Sequence, residues 1–306
     1  MPSLLACLFA SSAGLQATTV FSVASPYNVY VLGNMQESNV DSEGRVAVGG
    51  NASLTNYGVG SKFSTSPGSA GDSLVVGGNL AYNGGEVHYG NIVYGGILSG
   101  NFGLPNGSIT HGSAIDFAAG NSYLLGASVY WGGLASNAST INYYGGVHLV
   151  GTSAGLNVFS LSGAMLSSAW GVVIDAPAGS TVLVNVSGVA DTFRYMGIQF
   201  QDLNNDGTGL TNRQNVIYNF YEATSLELNG ISVQGSILAP KATVNFSNGN
   251  VEGNLIAGNL IGTGEAHNYL FQGNLPSMPA QAQVPEPATL GLSLLGCALL
   301  VLRRRR

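Results

Sequence analysis

Short apolar strings of similar sequence recur along this chain, each beside a Gly-Gly or Gly-Asn pair. The string at 46–54 (VAVGGNASL) returns in altered form at 74–82 (LVVGGNLAY). The string at 235–240 (GSILAP) returns at 253–258 (GNLIAG), and residues 90–98 have the same character. Because one such strand cannot bury its apolar face alone, the pattern predicts units that stack and share a continuous core.

Glycine and asparagine supply the backbone conformations that stacking needs. The chain has 45 glycines, and both residue types tolerate the positive φ of a tight corner. Asparagine side chains carry a donor and an acceptor, so they can form ladders along a stack. We therefore predict an all-β fold. The predicted architecture is a right-handed β-solenoid that resembles a parallel β-helix. The alternative is a β-sandwich, which also has many short strands.

Few helices are expected, because an interior glycine costs a helix about 1 kcal/mol relative to alanine. Residues 156–166 (LNVFSLSGAML) and 115–125 are the two helix candidates, and both are poor helix formers. We predict at most one short helix in the body of the chain.

The composition indicates a chain that buries a core but carries few charges. Hydrophobic residues make up 45% and charged residues 8%. Cys7 and Cys297 lie in apolar end segments, so disulfides, Cys-ligated zinc and thiol catalysis are not expected in the body. Four of the nine basic residues close the chain, which leaves five against 15 acidic residues. This balance argues against nucleic-acid binding, which needs basic surfaces.

The N-terminal segment 1–17 (MPSLLACLFASSAGLQA) is apolar and ends in small residues, as a signal peptide does. It lacks the Lys or Arg that usually precedes the apolar run, so a truncated or mis-started signal peptide is one interpretation. A buried N-terminal strand is the other.

The C-terminal end has three parts in a fixed order. A spacer at 274–283 leads to Val284, Pro285, Glu286 and Pro287, then an apolar run at 288–302, then Arg303, Arg304, Arg305 and Arg306. Fifteen helical residues span about 22 Å, so the run predicts a short transmembrane helix whose arginines stay cytoplasmic. An ordinary tail anchor is the alternative.

Residues 284–306 resemble the PEP-CTERM sorting signal of Gram-negative bacteria. The resemblance implies that an exosortase recognises Pro285, Glu286 and Pro287 and removes the apolar tail. The chain would meet the inner membrane transiently and then reach the cell surface or the extracellular matrix.

Five strings of the body resemble a second family, the choice-of-anchor A domain. They lie within residues 26–273 and are 27–35 (YNVYVLGNM), 42–51 (SEGRVAVGGN), 174–182 (IDAPAGSTV), 235–240 (GSILAP) and 264–268 (GEAHN). The resemblance implies a β-solenoid with an adhesive role, similar to ice-binding-like adhesin domains. Residues 85–150 follow the pattern least.

Two motifs suggest chemistry without a complete set of partners. Residues 151–155 (GTSAG) fit the G-x-S-x-G turn that exposes a nucleophile, here Ser153, with His267 downstream. The long helices of a hydrolase are missing, so we predict no catalytic residues. Asp202, Asn204 and Asp206 fit the first half of a calcium loop, but Arg213 occupies the position of the bidentate glutamate. An Asn/Asp-rich turn is the alternative.

The four histidines, His88, His111, His148 and His267, show no metal spacing, and Glu265 is placed to pair with His267. Tyrosines are frequent in the first half of the chain, beside Trp131, and most are expected to pack in strands; they are Tyr82, Tyr89, Tyr94, Tyr130, Tyr143 and Tyr144. Exposed members of this set would stack on sugar rings or proteins. We therefore expect a non-enzymatic surface or matrix protein of adhesive character, possessing no cofactor unless calcium binds. A polysaccharide-active β-helix enzyme and a calcium-stabilised extracellular binding module are the alternatives.

Overall fold

The computed structural model describes residues 20–65, 70–203 and 210–279. Within these ranges the chain is mostly β-structure, with two α-helices, α1 (Phe117–Gly132) and α2 (Gly163–Ser168). In chain order the strands are β1 (Val29–Val31), β2 (Met35–Ser38), β3 (Asp41–Ser42), β4 (Val46–Val48), β5 (Ala52–Val59), β6 (Asp72–Val76), β7 (Leu80–Val87), β8 (Asn91–Tyr94), β9 (Leu98–Gly103), β10 (Ile109–His111), β11 (Ser139–Tyr143), β12 (Gly146–Val150), β13 (Leu156–Ser162), β14 (Gly171–Asp175), β15 (Thr181–Ser187), β16 (Ala190–Arg194), β17 (Gly197–Phe200), β18 (Val216–Asn219), β19 (Ser225–Val233), β20 (Ser236–Glu252) and β21 (Leu255–His267).

Most of these strands belong to three parallel ladders. Ladder 1 stacks β10, β8, β6, β4, β1, the start of β21, the start of β20, β18, β15 and β13 in that order. Ladder 2 stacks β9, β7, β5, β2, the middle of β21, the middle of β20, β19 and β16. Ladder 3 joins β3 to the ends of its long neighbours β5 and β21.

The repeats found in the sequence are neighbours in these ladders. Val46 is level with Leu74, and Ala52 is level with Leu80, which reproduces the spacing between the first pair of strings. Ile237 is level with Leu255, which reproduces the spacing of the second pair. Each repeat therefore places the same residue type at the same point of the stack.

The order of the stack differs from the order of the chain. The first strand, β1, lies between β4 and the last strand, β21, in the interior of ladder 1. The chain proceeds from β1 to β10 at one end, continues through α1 to β13 at the other end, and returns inward to β21. The β1–β21 pairing therefore joins an N-terminal half and a C-terminal half of the stack.

The core consists of rows of apolar side chains that face inward from the ladders. One row of ladder 1 is fully buried and contains Ile92, Leu74, Val46, Val29, Leu255 and Ile237. Burying each aliphatic side chain of this size contributes about 1.5–3 kcal/mol. In ladder 2 the equivalent row includes Leu54 and Phe246, but Glu37 lies between them beside the seam of the two halves.

The prediction of at most one short helix was wrong, because α1 has 16 residues. The side chain of Asp116 caps its first turn by accepting a hydrogen bond from the backbone N–H of Ala119. Its buried residues recur at helical spacing and are Gly120, Leu124, Ala127, Ser128 and Trp131. A β-carbon at Gly120 would lie 2.5 Å from Cγ2 of Val23, so close packing explains this glycine in spite of its poor propensity.

The helix candidate at 115–125 lies largely in α1, whereas the candidate at 156–166 is mainly the strand β13, and only its last residues enter α2. Val158, Phe159 and Leu161 are buried in β13, so packing in ladder 1 decides the conformation of this stretch.

A separate four-stranded sheet, called sheet 2 below, contains β11, β12, β14 and β17. β11 is antiparallel to β12, whereas β12, β14 and β17 are parallel, with Val147, Val172 and Ile198 level with one another. No helix within the three described ranges is long and apolar enough to cross a membrane, and the predicted transmembrane segment at 288–302 lies outside those ranges.

Candidate binding face

The outer side of ladder 2 is an exposed surface of small, mostly neutral polar side chains. We call it the open face, and it consists of Ile97, Ser99, Asn79, Ala81, Asn51, Ser53, Asn34, Gln36, Asn259, Ile261, Thr243 and Asn245. In β5, buried Ala52 and Leu54 alternate with exposed Ser53, so strand periodicity places the polar residues outward. Neighbouring strands repeat about every 4.8 Å, which gives the open face a regular pattern.

An asparagine ladder borders one side of the open face. The Oδ1 atoms of Asn259, Asn34, Asn51 and Asn79 accept hydrogen bonds from the backbone N–H groups of Asn34, Asn51, Asn79 and Ile97, over 2.8–2.9 Å. Each asparagine therefore fastens the corner of the next strand. These bonds confirm the expectation that asparagine forms a ladder along the stack.

The glycines in front of Asn34, Asn51 and Asn79 are required by the same ladder. A β-carbon at Gly50 would lie 2.5 Å from Oδ1 of Asn34, and one at Gly78 would lie 2.5 Å from Oδ1 of Asn51. No real β-carbon makes contacts that short, so only glycine leaves room for the neighbouring side chain. The recurring Gly-Asn pair is thus one structural unit that lies across two strands.

A shallow depression of about 570 Å³ lies on the open face, and its lining contains no charged residue. Amides of Gln36 and Asn259 and the hydroxyl of Ser53 offer hydrogen bonds, while Ile97 and Ile261 add exposed apolar surface. No side chain in the lining titrates near neutral pH, so the depression has no general acid or base. The arrangement suits binding of a neutral, repetitive ligand.

The main charged cluster lies on ladder 3. Nδ1 of His267 lies 2.8 Å from Oε1 of Glu252, and Nε2 lies 3.5 Å from Oε2 of Glu265. Arg213 donates to Glu252 over 2.6 Å. Partial burial lowers the pKa of His267, but the hydrogen bond and charge of Glu252 outweigh that effect and raise the pKa above its usual value.

This cluster both confirms and extends the predicted pairing of His267. Glu265 contacts the ring as expected, whereas the closer partner, Glu252, comes from β20. The contact depends on which strands are neighbours, so local sequence did not indicate it. Among the described residues, no group of three or more His, Cys, Asp or Glu side chains could hold a metal ion.

Ser153 lies in a turn held by its neighbours in sequence. Its hydroxyl accepts a hydrogen bond from the N–H of Gly155 at 3.2 Å, and Asn157 clamps the turn through the backbone N–H and C=O of Ser153. His267 is engaged by Glu252 on ladder 3. The G-x-S-x-G string is therefore a hydrogen-bonded turn.

Several predicted site residues fall outside the described ranges. These are Pro285, Glu286 and Pro287 of the sorting motif, Arg303, Arg304, Arg305 and Arg306, and Asn204 and Asp206 of the calcium loop. Asp202 is described, on the segment that follows β17. The calcium loop remains a prediction.

The tyrosines and tryptophans divide into buried and exposed sets. Tyr82 stacks on Phe102 in the core, and Trp131 is buried on α1. Tyr143 and Tyr144 are exposed at the β11–β12 turn, as are Trp170 and Tyr195 nearby. The sequence did not single out Trp170 or Tyr195, because nothing local distinguishes an exposed ring from a buried one.

Comparisons with solved structures give two similar proteins, both named for binding ice. One is an ice binding protein from an Antarctic Biological Consortium, with 15% identity, a TM-score of 0.36 and coverage of 88% of this chain and 96% of that one. The other is an ice-binding protein from the Antarctic ascomycete Antarctomyces psychrotrophicus, with 12% identity, a TM-score of 0.38 and coverage of 84% and 98%. Both scores are too low for either likeness to bear on fold or function.

Family models match both parts of the chain, although none of the curated proteins compared has a matching sequence. Residues 283–306 match the PEP-CTERM protein-sorting motif. Residues 20–268 match the family described as "Putative Ice-binding-like adhesive domain". Because this match spans well over half of the 306 residues, the chain belongs to the ice-binding-like adhesive domain family.

Proposed function

We propose that this protein is a non-enzymatic adhesin of the bacterial surface that holds a repetitive ligand on its open face. The observation that carries the proposal is the regular, uncharged array of the open face, which the asparagine ladder fastens. Such an array positions many weak hydrogen bonds in advance, so binding requires little ordering of side chains.

The scaffold of this adhesin is a right-handed β-solenoid in our proposal. Parallel ladders with level rows of similar residue types support it, since successive turns such as β4–β5 and β6–β7 add one strand to ladder 1 and one to ladder 2. Its advantage for adhesion is length, because stacking extends the open face without changing its chemistry.

The tail is a removable address in this proposal. The sorting motif match at 283–306 supports recognition of Pro285, Glu286 and Pro287 by an exosortase-type enzyme. Residues 288–302 and the four terminal arginines would hold the chain at the inner membrane of a Gram-negative cell until cleavage. The resemblance of the body to choice-of-anchor A domains agrees with a surface or matrix destination.

Substitution on the open face tests the adhesive role. In the source bacterium, Ser53→Arg places a long charged side chain in the depression, and we expect attachment of cells to a surface to fall at least about tenfold. Ala135→Arg adds the same charge at an exposed site outside the open face and is the matched control. Equal attachment by both variants would contradict the proposal, and an ice-adsorption assay on the same proteins separates a water lattice from other ligands.

Cell fractionation tests the sorting role. Glu286→Ala should leave the full-length chain in the inner membrane, because the enzyme loses its recognised carboxylate. Gln281→Ala, in the preceding spacer, should be processed normally. Intact mass of the surface protein gives the cleavage site, and a processed Glu286→Ala chain would rule out this recognition.

A further inference from the structure

Exposed aromatic side chains gather at one edge of sheet 2. Tyr143 and Tyr144 precede β12, Trp170 precedes β14, and Tyr195 precedes β17. Since these three strands are parallel and in register, the rings lie at the same end of three neighbouring strands. Trp170 is 59% exposed, Tyr144 88% and Tyr195 67%.

Glycine backbone supports two of these rings from beneath. A β-carbon at Gly146 would lie 2.6 Å from the indole of Trp170, and one at Gly230 would lie 2.5 Å from the ring of Tyr195. The indole N–H of Trp170 also donates to the backbone C=O of Tyr144 at 2.9 Å. Trp170 and Tyr195 are therefore each packed against a glycine while more than half of each side chain stays exposed, and the guanidinium of Arg194 lies 5.8 Å from the ring centre of Tyr195.

The backbone at the two tyrosines indicates that their outward position is not accidental. Tyr144 has φ +48° and Tyr195 has φ +51°, a left-handed conformation that side chains rarely adopt. In the β11–β12 hairpin, Tyr144 and Gly145 form a two-residue turn in which asparagine normally takes the first place. Backbone strain of this kind at an exposed ring points to a functional constraint.

We propose that this aromatic edge, formed by Tyr143, Tyr144, Trp170 and Tyr195, is a carbohydrate-binding site that stacks the pyranose rings of a polysaccharide chain. Tyr144 and Tyr195 are two strands apart, which is about 9.6 Å, so the row matches an extended chain of rings rather than one compact ligand. Aromatic faces bind the C–H surface of a sugar, and the polar tips of the tyrosines can reach its hydroxyls.

The neighbouring groups favour sugar over a nucleobase. Asn142 on β11 and Gln199 on β17 are exposed on sheet 2 and offer hydrogen bonds without charge. A single-stranded nucleic acid also stacks on aromatic rings, but it needs a basic groove for its phosphates. The one arginine beside the row, Arg194, is paired with Glu227 at 3.2 Å.

The two tryptophans of the chain provide a direct readout, since Trp131 is 1% exposed and Trp170 is exposed. Acrylamide quenching of the full chain in detergent therefore reports Trp170. The probes are soluble β-1,4-glucan, soluble chitin fragments, dextran, the polysaccharide of the source cells, and single-stranded DNA. We expect at least one polysaccharide to protect Trp170 and DNA to leave it unprotected.

Substitutions separate the site from general effects on folding. Tyr144→Ala and Tyr195→Ala should weaken polysaccharide binding at least tenfold, and Trp170→Phe should keep most of it. Val129→Ala, an exposed change on α1, is the control, and thermal unfolding checks that each variant folds. Absence of protection by every polysaccharide, protection by DNA alone, or unchanged binding by both tyrosine variants would overturn the proposal. None of these variants changes a residue of the open face. A negative result for the aromatic edge therefore does not affect the adhesive role that Ser53→Arg tests.

Discussion

The same turns of chain build ladders 1 and 2, yet the outer side of ladder 1 lies beneath α1 and the outer side of ladder 2 is open. The outward row of ladder 1 is buried and contains Val75, Ala47, Tyr30, Ile256, Leu238, Asn219 and Asn185. At the equivalent positions ladder 2 has small polar residues such as Ser53 and Gln36. Backbone architecture is shared, so the outward side chains decide which side receives a helix and which is left for a ligand.

Two buried asparagines fasten the helix to ladder 1. Asn219 accepts from the hydroxyl of Ser128 at 2.6 Å and donates to the backbone C=O of Ser128 and to Oδ1 of Asn185, both at 2.9 Å. Asn185 donates to the C=O of Trp131 at 2.7 Å. In ladder 2 the asparagines bond to backbone N–H groups of the stack itself, so the same residue type serves attachment on one side and rigidity on the other.

The largest expected effect comes from removing the hydrogen bonds that hold α1 on the outer side of ladder 1. Asn219→Ala removes three hydrogen bonds and leaves the hydroxyl and C=O of buried Ser128 without these partners. We expect a loss of about 3–5 kcal/mol in the free energy of unfolding, measured by denaturant titration. Asn245→Ala, an exposed position of the open face, should change it by less than about 0.5 kcal/mol. Similar losses of unfolding free energy in both variants would contradict the idea that asparagines stabilise the side of ladder 1 under α1 more than the open face.

The next prediction concerns the polar exception on the inner side of ladder 2. Glu37 is 2% exposed, and its carboxyl oxygens have no hydrogen-bond partner of good geometry among the described residues. Burial, opposed by the backbone N–H of Gly264, raises the pKa of Glu37 from 4.5 to about 8. The folded state therefore holds a proton that the unfolded state has released throughout this pH window.

Below pH 4.5 the Glu37 carboxyl is protonated in both the folded and the unfolded state, and its contribution to the free energy of unfolding is fully present. As the pH rises from 4.5 to about 8, the unfolded state is favoured by releasing the proton, and this contribution is lost. The slope is about 1.4 kcal/mol per pH unit, so about 3 kcal/mol is lost by pH 7. Glu37→Gln should lack this slope, whereas Glu227→Gln, on the outer side, should keep it. Parallel stability profiles of wild type and Glu37→Gln would show that Glu37 is not the buried acid described.

A smaller effect is expected at the glycine corners that border the open face. In Gly50→Ala the new β-carbon meets Oδ1 of Asn34 and backbone of Gly33, so we expect a loss of about 2 kcal/mol by thermal unfolding. Gly112→Ala is the control, because nothing lies within 4 Å of its β-carbon. Asn34→Ala combined with Gly50→Ala should cost less than the sum of the two changes, since one clash disappears.

The smallest effect measures a single rung of the asparagine ladder. Asn79→Ala removes the acceptor of the Ile97 N–H at a partly solvated site, so a loss of about 1 kcal/mol is expected in denaturant titration. Asn83→Ala, further along the same strand, has no such bond and should be neutral. Equal free energies of unfolding for Asn79→Ala and Asn83→Ala would indicate that water replaces the lost hydrogen bond of the asparagine ladder without a loss of stability.

Local repeats were sufficient to predict that the recurring strings themselves stack on one another. Val46 and Leu74, or Ile237 and Leu255, are level because the same string recurs, and Gly-Asn marks each corner. The seam was not predictable, since Val29 pairs with Leu255 through contacts that no repeat connects. The candidate site divides in the same way: the open face follows from strand alternation, but the aromatic edge depends on register in sheet 2.

Helix α1 was underestimated for a physical reason. Gly120 and Gly132 lower its intrinsic propensity, but they allow it to lie against Val23 and Tyr221 at distances that a larger residue would forbid. Packing of this kind outweighs propensity, and it involves residues about 90 positions away in sequence, such as Asn219 with Ser128.

The position of β1 between β4 and β21 has a consequence for how the chain matures. One edge of β1 stays unpaired until the last strand of the domain has been synthesised and delivered, so the two halves of the stack can join only at that point. A polypeptide that threads through a narrow translocon benefits from such a delay, because it stays extended during passage. Closure then coincides with arrival of the segment that directly precedes the tail.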